Sequence, residues 1–201
     1  MAISYLAVDL STHPFLADSQ IDLINWPAAL FEPIHVYGKS YDGIKEATLM
    51  FDMLKVGTPI YAPFDGQIQQ VTDQPESCDT EMYFTDNNND QQHHLSYDHV
   101  KPLAGYLTKG SKFKAGDQIA TVPAWECKQN FGRVEMMVVV GTTQVTASRC
   151  PLYLLDNARK ATLTAQISTI QAWWNGLKPR TAYSAAELAP NGLCLTEFGN
   201  F

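Results

Sequence analysis

The stretch GTPIYAPFDGQIQQV (57–71) places a glycine-containing turn, FDG, directly before a short run of strand-forming residues. The stretch KGSKFKAGDQIATV (109–122) repeats this arrangement with the turn AGD. Pro59 suits the start of a strand, because proline cannot donate a hydrogen bond to a sheet. Glycine and aspartate favour the tight reversals that such corners need. Both stretches therefore predict a turn that leads into a β-strand.

The same pattern extends over residues 31–155, where Gly, Pro, Asn and Asp recur and few segments have helical periodicity. This density of turn residues predicts a mainly β domain. Within it, EMYFT (81–85) and QQHHLSYDHV (91–100) form a candidate hairpin around an Asn-rich turn. RVEMMVVV (133–140) is mostly apolar and predicts a strand that is buried on both faces.

The two ends of the chain have a different character. Residues 1–30 are predicted to form an N-terminal extension, with a strand in AISYLAVDL and a short helix in SQIDLINWPAAL. Residues 156–201 are predicted to form a C-terminal helical extension and tail, with Asp156 as N-cap and Gly176 as the end of the helix. Spacings of four and three place one apolar stripe on that helix, formed by Leu163, Ile167, Ile170, Trp174 and Leu177.

Composition excludes some classes of partner. The net charge is −7 and no run of Lys or Arg exceeds two residues, which argues against nucleic acid or an anionic membrane as the main partner.

The first residues, MAISYLAVDLSTHPF, lack the pattern of a secretory signal, so we expect a cytoplasmic protein or export by a non-classical route. Four cysteines without CxxC spacing predict neither a zinc knuckle nor a disulfide framework, but free thiols or one or two incidental bridges.

The order of several segments between residues 52 and 155 resembles that of lysostaphin-type zinc endopeptidases, which cleave peptide cross-links in bacterial cell walls. The matching segments are GTPIYAPFDGQI (57–68), YDHV (97–100), YLTKGSKFKAGDQIATV (106–122), RVEMMV (133–138) and CPLYLL (150–155). The resemblance implies a barrel-sandwich hybrid, a lysostaphin-like β-sandwich core. Biotin- and lipoyl-carrier domains share such half-motifs, but their Met-flanked lysine at a hairpin tip has no counterpart here.

The family's metal site is altered in this sequence. The resemblance implies Asp52 as a metal ligand, whereas Thr48 stands where the family has a histidine ligand. The family's H-x-H motif becomes Arg133-Val134-Glu135, which makes Glu135 a candidate ligand and Arg133 a candidate catalytic residue beside the retained His99. Threonine is a poor zinc ligand, and arginine carries a permanent charge. We therefore expect Arg133 to pair with Glu135, Asp52 or both in place of a metal.

A metal site could also be rebuilt from other side chains. The candidates are His35, Asp42, His93, His94, His99, Glu126 and Glu135. His93 and His94 are adjacent on a predicted strand, so at most one of them faces any given cleft. Three aromatic residues, Trp125, Phe131 and Tyr97, are expected to line a ligand groove, although Trp125 could equally pack beneath its loop.

Two functions are therefore compatible with the sequence. The first is a non-catalytic lysostaphin-like module, without a cofactor, that binds a peptide, a glycan or a protein partner in the former active-site groove. The alternative is a divergent zinc metalloendopeptidase that acts on cell-wall-type peptides through a rebuilt metal site. A structural role in an oligomer or larger assembly is a third and weaker possibility.

Overall fold

The computed structural model describes residues 1–11, 32–41, 44–87, 93–140, 147–177, 183–188, 193–196 and 198–199. The predicted helix in SQIDLINWPAAL, most of the predicted Asn-rich turn and the candidate ligand Asp42 lie outside these residues. The strands are β1 Ile34–His35, β2 Ser40–Tyr41, β3 Ile44–Lys45, β4 Leu49–Lys55, β5 Pro59–Tyr61, β6 Gly66–Gln74, β7 Asp79–Asp86, β8 His93–Pro102, β9 Lys112–Phe113, β10 Gln118–Thr121, β11 Phe131–Val140, β12 Ala147–Arg149 and β13 Phe198–Gly199. The α-helix, α1, spans Asn157–Leu177, and 3₁₀ turns occur at Ala104–Tyr106, Trp125–Cys127 and Pro151–Leu154.

One antiparallel sheet forms most of the molecule. Its main path runs β1-β4-β11-β8-β7-β6-β9, while β10 connects β5 to β8 and β12 connects β13 to β11. Strands β7 and β8 pair in antiparallel register, with Phe84 opposite Leu95, so the predicted hairpin is confirmed. The mainly β fold with one C-terminal helix, predicted from the density of turn residues, is likewise confirmed.

The two glycine corners work in different ways. Gly116 of the AGD turn has a φ of +84°, a left-handed conformation that favours glycine. Gly66 of FDG instead opens β6, where a Cβ would lie 2.2 Å from the carbonyl oxygen of Thr85 on β7. Glycine is needed there because two strands approach closely, and not because the chain turns.

Strand β11 lies at the centre of the sheet between β4 and β8, but the prediction that both its faces are buried is wrong. Val134, Met136 and Val138 are buried, whereas Arg133 and Glu135 are only half-buried. This face of β11 is polar at Arg133 and Glu135, whereas Val139 further along the same face is buried. The alternation therefore divides β11 into a core face and a cleft face.

Both ends of the chain pack into the same core as the sheet. Ile3, Leu6 and Val8 are buried, and the Tyr61 N–H donates to the carbonyl of Ala7 at 2.9 Å. The predicted strand in AISYLAVDL is not formed. The segment is held by single contacts, of which the bridge between Ile3 and Leu155 is one.

Helix α1 confirms the predicted N-cap, because Asp156 Oδ1 accepts a hydrogen bond from the Ala158 N–H at 2.7 Å. Four members of the predicted stripe are buried, and the fifth, Leu177, is 50% exposed at the end of the helix. Gly176 lies within the last turn of the helix and does not end it. Within the described part of the chain, no helix has the length and apolar character needed to cross a membrane.

All four cysteines form disulfides, Cys78–Cys127 and Cys150–Cys194, so of the two expected alternatives the bridges are formed and the free thiols are not. The paired cysteines are 49 and 44 residues apart, and only the folded sheet brings them together. Cys150 is buried, whereas Cys78 and Cys127 are exposed.

This difference in burial predicts the order of reduction. We expect a mild dithiol reductant to open Cys78–Cys127 while Cys150–Cys194 stays intact, because thiol–disulfide exchange requires access to a sulfur atom. Alkylation of the native protein followed by peptide mass mapping would measure this. Equal labelling of all four cysteines under native conditions would contradict the assignment.

Candidate functional site

The cleft face of strands β7, β8 and β11 carries a cluster of charged side chains centred on His99. Arg133 and Glu135 are two residues apart on β11, so both project to this face. Asp98 on β8 lies directly opposite Glu135 in the sheet register. The predicted catalytic residues His99 and Arg133 and the predicted ligand Glu135 are thus brought together.

His99 reaches the cleft through an unusual backbone conformation. Its φ is +58°, a value that is uncommon outside glycine and asparagine. If the backbone at His99 were a regular strand, the alternation of side chains would place His99 on the same face of the sheet as Tyr97, two residues earlier. Tyr97 is fully buried, in an edge-to-face contact of 4.9 Å with Phe84. The prediction that Tyr97 lines the groove is therefore wrong, and the left-handed residue at 99 is the reason.

Both ring nitrogens of His99 have partners. Nδ1 lies 2.6 Å from Oδ2 of Asp79 on β7, whose other oxygen accepts a hydrogen bond from Ser77 at 2.6 Å. Nε2 lies 2.8 Å from a guanidinium nitrogen of Arg133 and 3.3 Å from Oε1 of Glu135. Arg133 and Glu135 also pair with each other at 3.5 Å. The imidazole is therefore held between three strands.

The carboxylates around His99 favour its charged form. Burial lowers the pKa of His99, but the hydrogen bonds to Asp79 and Glu135 outweigh it and raise the pKa to about 9. Burial likewise raises the pKa of Asp79 and of Glu135, yet the contacts with His99 hold both pKa values below their ordinary range. Arg133 can donate to Nε2 only while that nitrogen carries no proton. In the imidazolium form, Arg133 is left with Glu135 as its acceptor.

Further carboxyl groups surround the cluster, and their pKa values are raised, unlike those of Asp79 and Glu135. Burial raises the pKa of Asp98 and of Glu81. The pKa of Glu46 is raised by burial and by the negative charge of Glu135. The cleft thus combines an ion-paired centre with an acidic margin whose charge falls at mildly acidic pH.

The other predicted ligand, Asp52, belongs to a separate pair. Its side chain is buried, and its Oδ2 lies 2.9 Å from Nε2 of His35 on β1. From the sequence alone, His35 is only a candidate for a rebuilt metal site. Thr48 is buried as well and helps to lower the pKa of Glu135. The expected pairing of Arg133 with Glu135 is present, whereas Asp52 pairs with His35 instead.

The residues at the family's ligand positions do not fit a zinc site. Among the described residues, the one group of three that offers ligand atoms within 4.8 Å of one another is Asp79, Asp98 and His99, and it includes neither Asp52 nor Glu135. In that group the His99 nitrogens and the Asp79 oxygens already have partners. A dication would therefore have to displace a guanidinium or break the Asp79–His99 bond.

Two of the three predicted groove residues lie at the edge of this cluster. The rings of Trp125 and Phe131 meet edge to face at 5.7 Å, and both side chains are partly exposed. The guanidinium of Arg133 lies 4.7 Å from the Trp125 ring centre, within the range of a cation–π contact. Arg133 is thus held by the ring of Trp125 as well as by Glu135.

The loop that carries Trp125 is fixed by the Cys78–Cys127 disulfide. Cys127 is the last residue of the Trp125–Cys127 turn, and Cys78 is adjacent to Asp79. Cys78, Glu126 and Cys127 all have positive φ values, between 50° and 63°. Sequence reasoning missed Asp79 and Cys78, and an even number of cysteines was the one signal that could have indicated this bridge.

Comparison with known proteins finds similarity among solved structures. No protein-family model matches the sequence, and no curated protein matches it. The catalytic domain of the antimicrobial peptidase lysostaphin from Staphylococcus simulans is 18% identical over 59% of this chain and 87% of its own, with a TM-score of 0.46. LytU is 21% identical over 66% of this chain and 92% of its own, with a TM-score of 0.49. A zinc-containing peptidase from Vibrio cholerae is 18% identical over 70% of this chain but 37% of its own, with a TM-score of 0.45. Lysostaphin-type zinc peptidase domains are thus neighbours of this chain in fold.

The Asp79–His99 contact predicts a pH-dependent stability. Since the pKa of His99 is raised to about 9 from an ordinary value near 6.5, its contribution is complete below about pH 6.5 and is lost as pH rises through about 9. We expect Asp79→Asn to lower the His99 pKa by about 1 unit or more and to flatten this dependence. NMR titration of the imidazole and urea unfolding at several pH values would measure both. Asp73→Asn, an exposed position on β6, is the matched control, and an unchanged His99 titration in Asp79→Asn would contradict the assignment.

Proposed function

We propose that the chain is a non-catalytic lysostaphin-like module that binds a peptide, a glycan or a protein partner in the cleft beside Trp125. One observation carries this proposal. The guanidinium of Arg133 lies 2.8 Å from His99 Nε2 and 3.5 Å from Glu135, so an internal cation stands among the groups that a hydrolytic metal would need. The cluster neutralises its own charges without a metal.

The electrostatics of the cluster also disfavour general base catalysis. A general base must be unprotonated at the working pH and must reach the proton that it removes. With its pKa raised to about 9, His99 is mostly protonated near neutrality, and its nitrogens face Asp79 and Arg133. His99 is therefore better suited to hold Asp79 and Glu135 in place than to activate water.

The surface beside the cluster has the character of a binding face. Trp125 and Phe131 present partly exposed rings, which hold peptide chains and sugar rings by packing against their apolar faces. Arg133 and the acidic margin supply polar groups next to these rings. The disulfide at Cys127 reduces the freedom of the loop, so less conformational entropy is lost on binding. Two disulfides also favour an oxidising compartment, the setting in which a cell-wall ligand would be met.

The alternative function is a divergent zinc metalloendopeptidase that acts on cell-wall-type peptides. The observation that favours it is the group of Asp79, Asp98 and His99, whose oxygen and nitrogen atoms converge within 4.8 Å. Zinc bound there would supply an acidic water molecule as nucleophile. The Asp52 and Glu135 positions would then not be ligands.

Metal content separates the two functions. We expect the purified, unchelated protein to hold far less than one zinc per chain by elemental analysis, and to take up none with high affinity when zinc is added. If about one zinc were found per chain and were lost in both His99→Ala and Asp79→Asn, the metallopeptidase would be the correct function. Asp52→Ala is the internal comparison, because its carboxylate lies outside the Asp79, Asp98 and His99 group.

Loss of the Trp125 ring tests the binding face. We expect Trp125→Ala to weaken the binding of soluble cell-wall peptides or glycan oligomers about tenfold, as is usual for a tryptophan at the centre of an interface. Isothermal titration calorimetry would measure this. Trp173→Ala is the matched control, since Trp173 is 45% exposed on α1. Equal affinities of the two variants for a ligand that the wild type binds would contradict the location of the site.

A further inference from the structure

A cavity of about 580 Å³ opens beside the charged cluster. Its walls are mostly apolar and include Val56, Val100, Val122 and Pro123. The Cys78–Cys127 disulfide contributes both of its residues to the wall. A cavity of this size, apolar with a few polar groups, has the character of a ligand pocket.

The cavity continues from the Trp125 face. Ala124, which directly precedes Trp125, and Cys127, which is the last residue of the Trp125–Cys127 turn, both line it. Asp79 lines the cavity as well and also binds His99. A chain bound along Trp125 would therefore reach the cavity without crossing another element.

The polar groups of the cavity favour an anionic end. Both oxygens of Asp79 are engaged, by His99 and by Ser77. Lys101, by contrast, is an exposed lysine of the cavity wall for which no ion pair occurs among the residues that the structure describes. Thr121, the register partner of Lys101, adds a hydroxyl beside it. The charge available to a ligand is thus positive.

Backbone strain marks the same region. Of the five described non-glycine residues with positive φ, Cys78 and Cys127 line the cavity, Glu126 adjoins Cys127, and His99 binds Asp79 in its wall. Such conformations cost free energy, and they concentrate where a site requires a fixed shape. The disulfide holds two of them.

We propose that this cavity binds the C-terminal residue of a peptide ligand. The aliphatic side chain of that residue packs against Val56, Ala124 and the exposed Cys78–Cys127 disulfide, and its terminal carboxylate pairs with the ammonium group of Lys101. This assignment rests on the proposed function, of which it specifies the ligand: a peptide with a free, apolar C-terminus, held along Trp125 and ending in the cavity.

The test uses three probes and the intact, oxidised protein. They are N-acetyl-Gly-Gly-Leu with a free carboxylate, the same peptide as its C-terminal amide, and 4-methylpentanoate, which keeps the leucine side chain and carboxylate without the peptide. Titration of ¹⁵N-labelled protein, followed by amide shifts, gives both affinity and location. We expect the free acid to shift the amides of Val100, Lys101 and Val122 and to bind about fivefold more tightly than the amide, the scale of one exposed ion pair.

Two variants test the two halves of the pocket. Lys101→Gln should remove the preference for the free acid, and Ala124→Phe should fill the cavity and abolish binding of both peptides. Lys112→Gln is the matched control and should bind like the wild type. Lys112 is an exposed lysine on β9, opposite Gln67 at the start of β6.

Four outcomes would overturn the assignment. Equal affinities of acid and amide would exclude the carboxylate contact, and shifts confined to other regions would exclude the cavity. Binding of 4-methylpentanoate as tightly as the peptide would assign the cavity to small free acids. If Trp125→Ala weakens peptide binding while Lys101→Gln does not, the proposed function stands and this inference fails. Stoichiometric zinc in the protein would instead refute the proposed function by an independent measurement.

Discussion

The charge balance around His99 is the constraint on which the cleft depends. Burial disfavours the charged forms of His99, Asp79 and Glu135, and in each case a charged neighbour offsets this cost. The charge of His99 is stabilised by Asp79 and Glu135, and the charge of Asp79 by His99. The charge of Glu135 is stabilised by His99 and Arg133. Removing one partner leaves a buried charge uncompensated, which costs far more than the net value of the pair. Because the partners lie on β7, β8 and β11, the balance exists only when the centre of the sheet is assembled.

The same cluster organises the surface beside it. Arg133 is fixed on one side by Glu135 and on the other by the Trp125 ring, and the Trp125 loop is fixed by the disulfide at Cys127. A side chain with so few free rotamers loses little entropy when a ligand arrives. The ion pair of Arg133 and Glu135 therefore acts on binding through the Trp125 ring, which Arg133 contacts.

The fold could be predicted from the sequence because its signals are local. Turn residues around Gly66 and Gly116 and the stripe of α1 depend on neighbours within a few positions. The site could be predicted only in part, since the faces of its strands do not follow strict alternation. The left-handed backbone at His99 moves one side chain into the cleft and leaves Tyr97 in the core, and β4–β11 pairing shifts between Gly132 and Val134. Contacts such as Cys78–Cys127 and His35–Asp52 join distant segments and leave no local pattern.

Arg133 and His99 distribute positive charge over the cluster differently from a metal ion. Zinc would carry two positive charges to the carboxylates and would need neutral or anionic donors directed at one point. Arg133 carries one charge, spread over a plane, and satisfies Glu135 while stacking on Trp125. The imidazolium of His99 supplies the second positive charge and divides it between Asp79 and Glu135. Two organic cations thus match the charge of one dication, but they spread it over the three strands and do not concentrate it at one point.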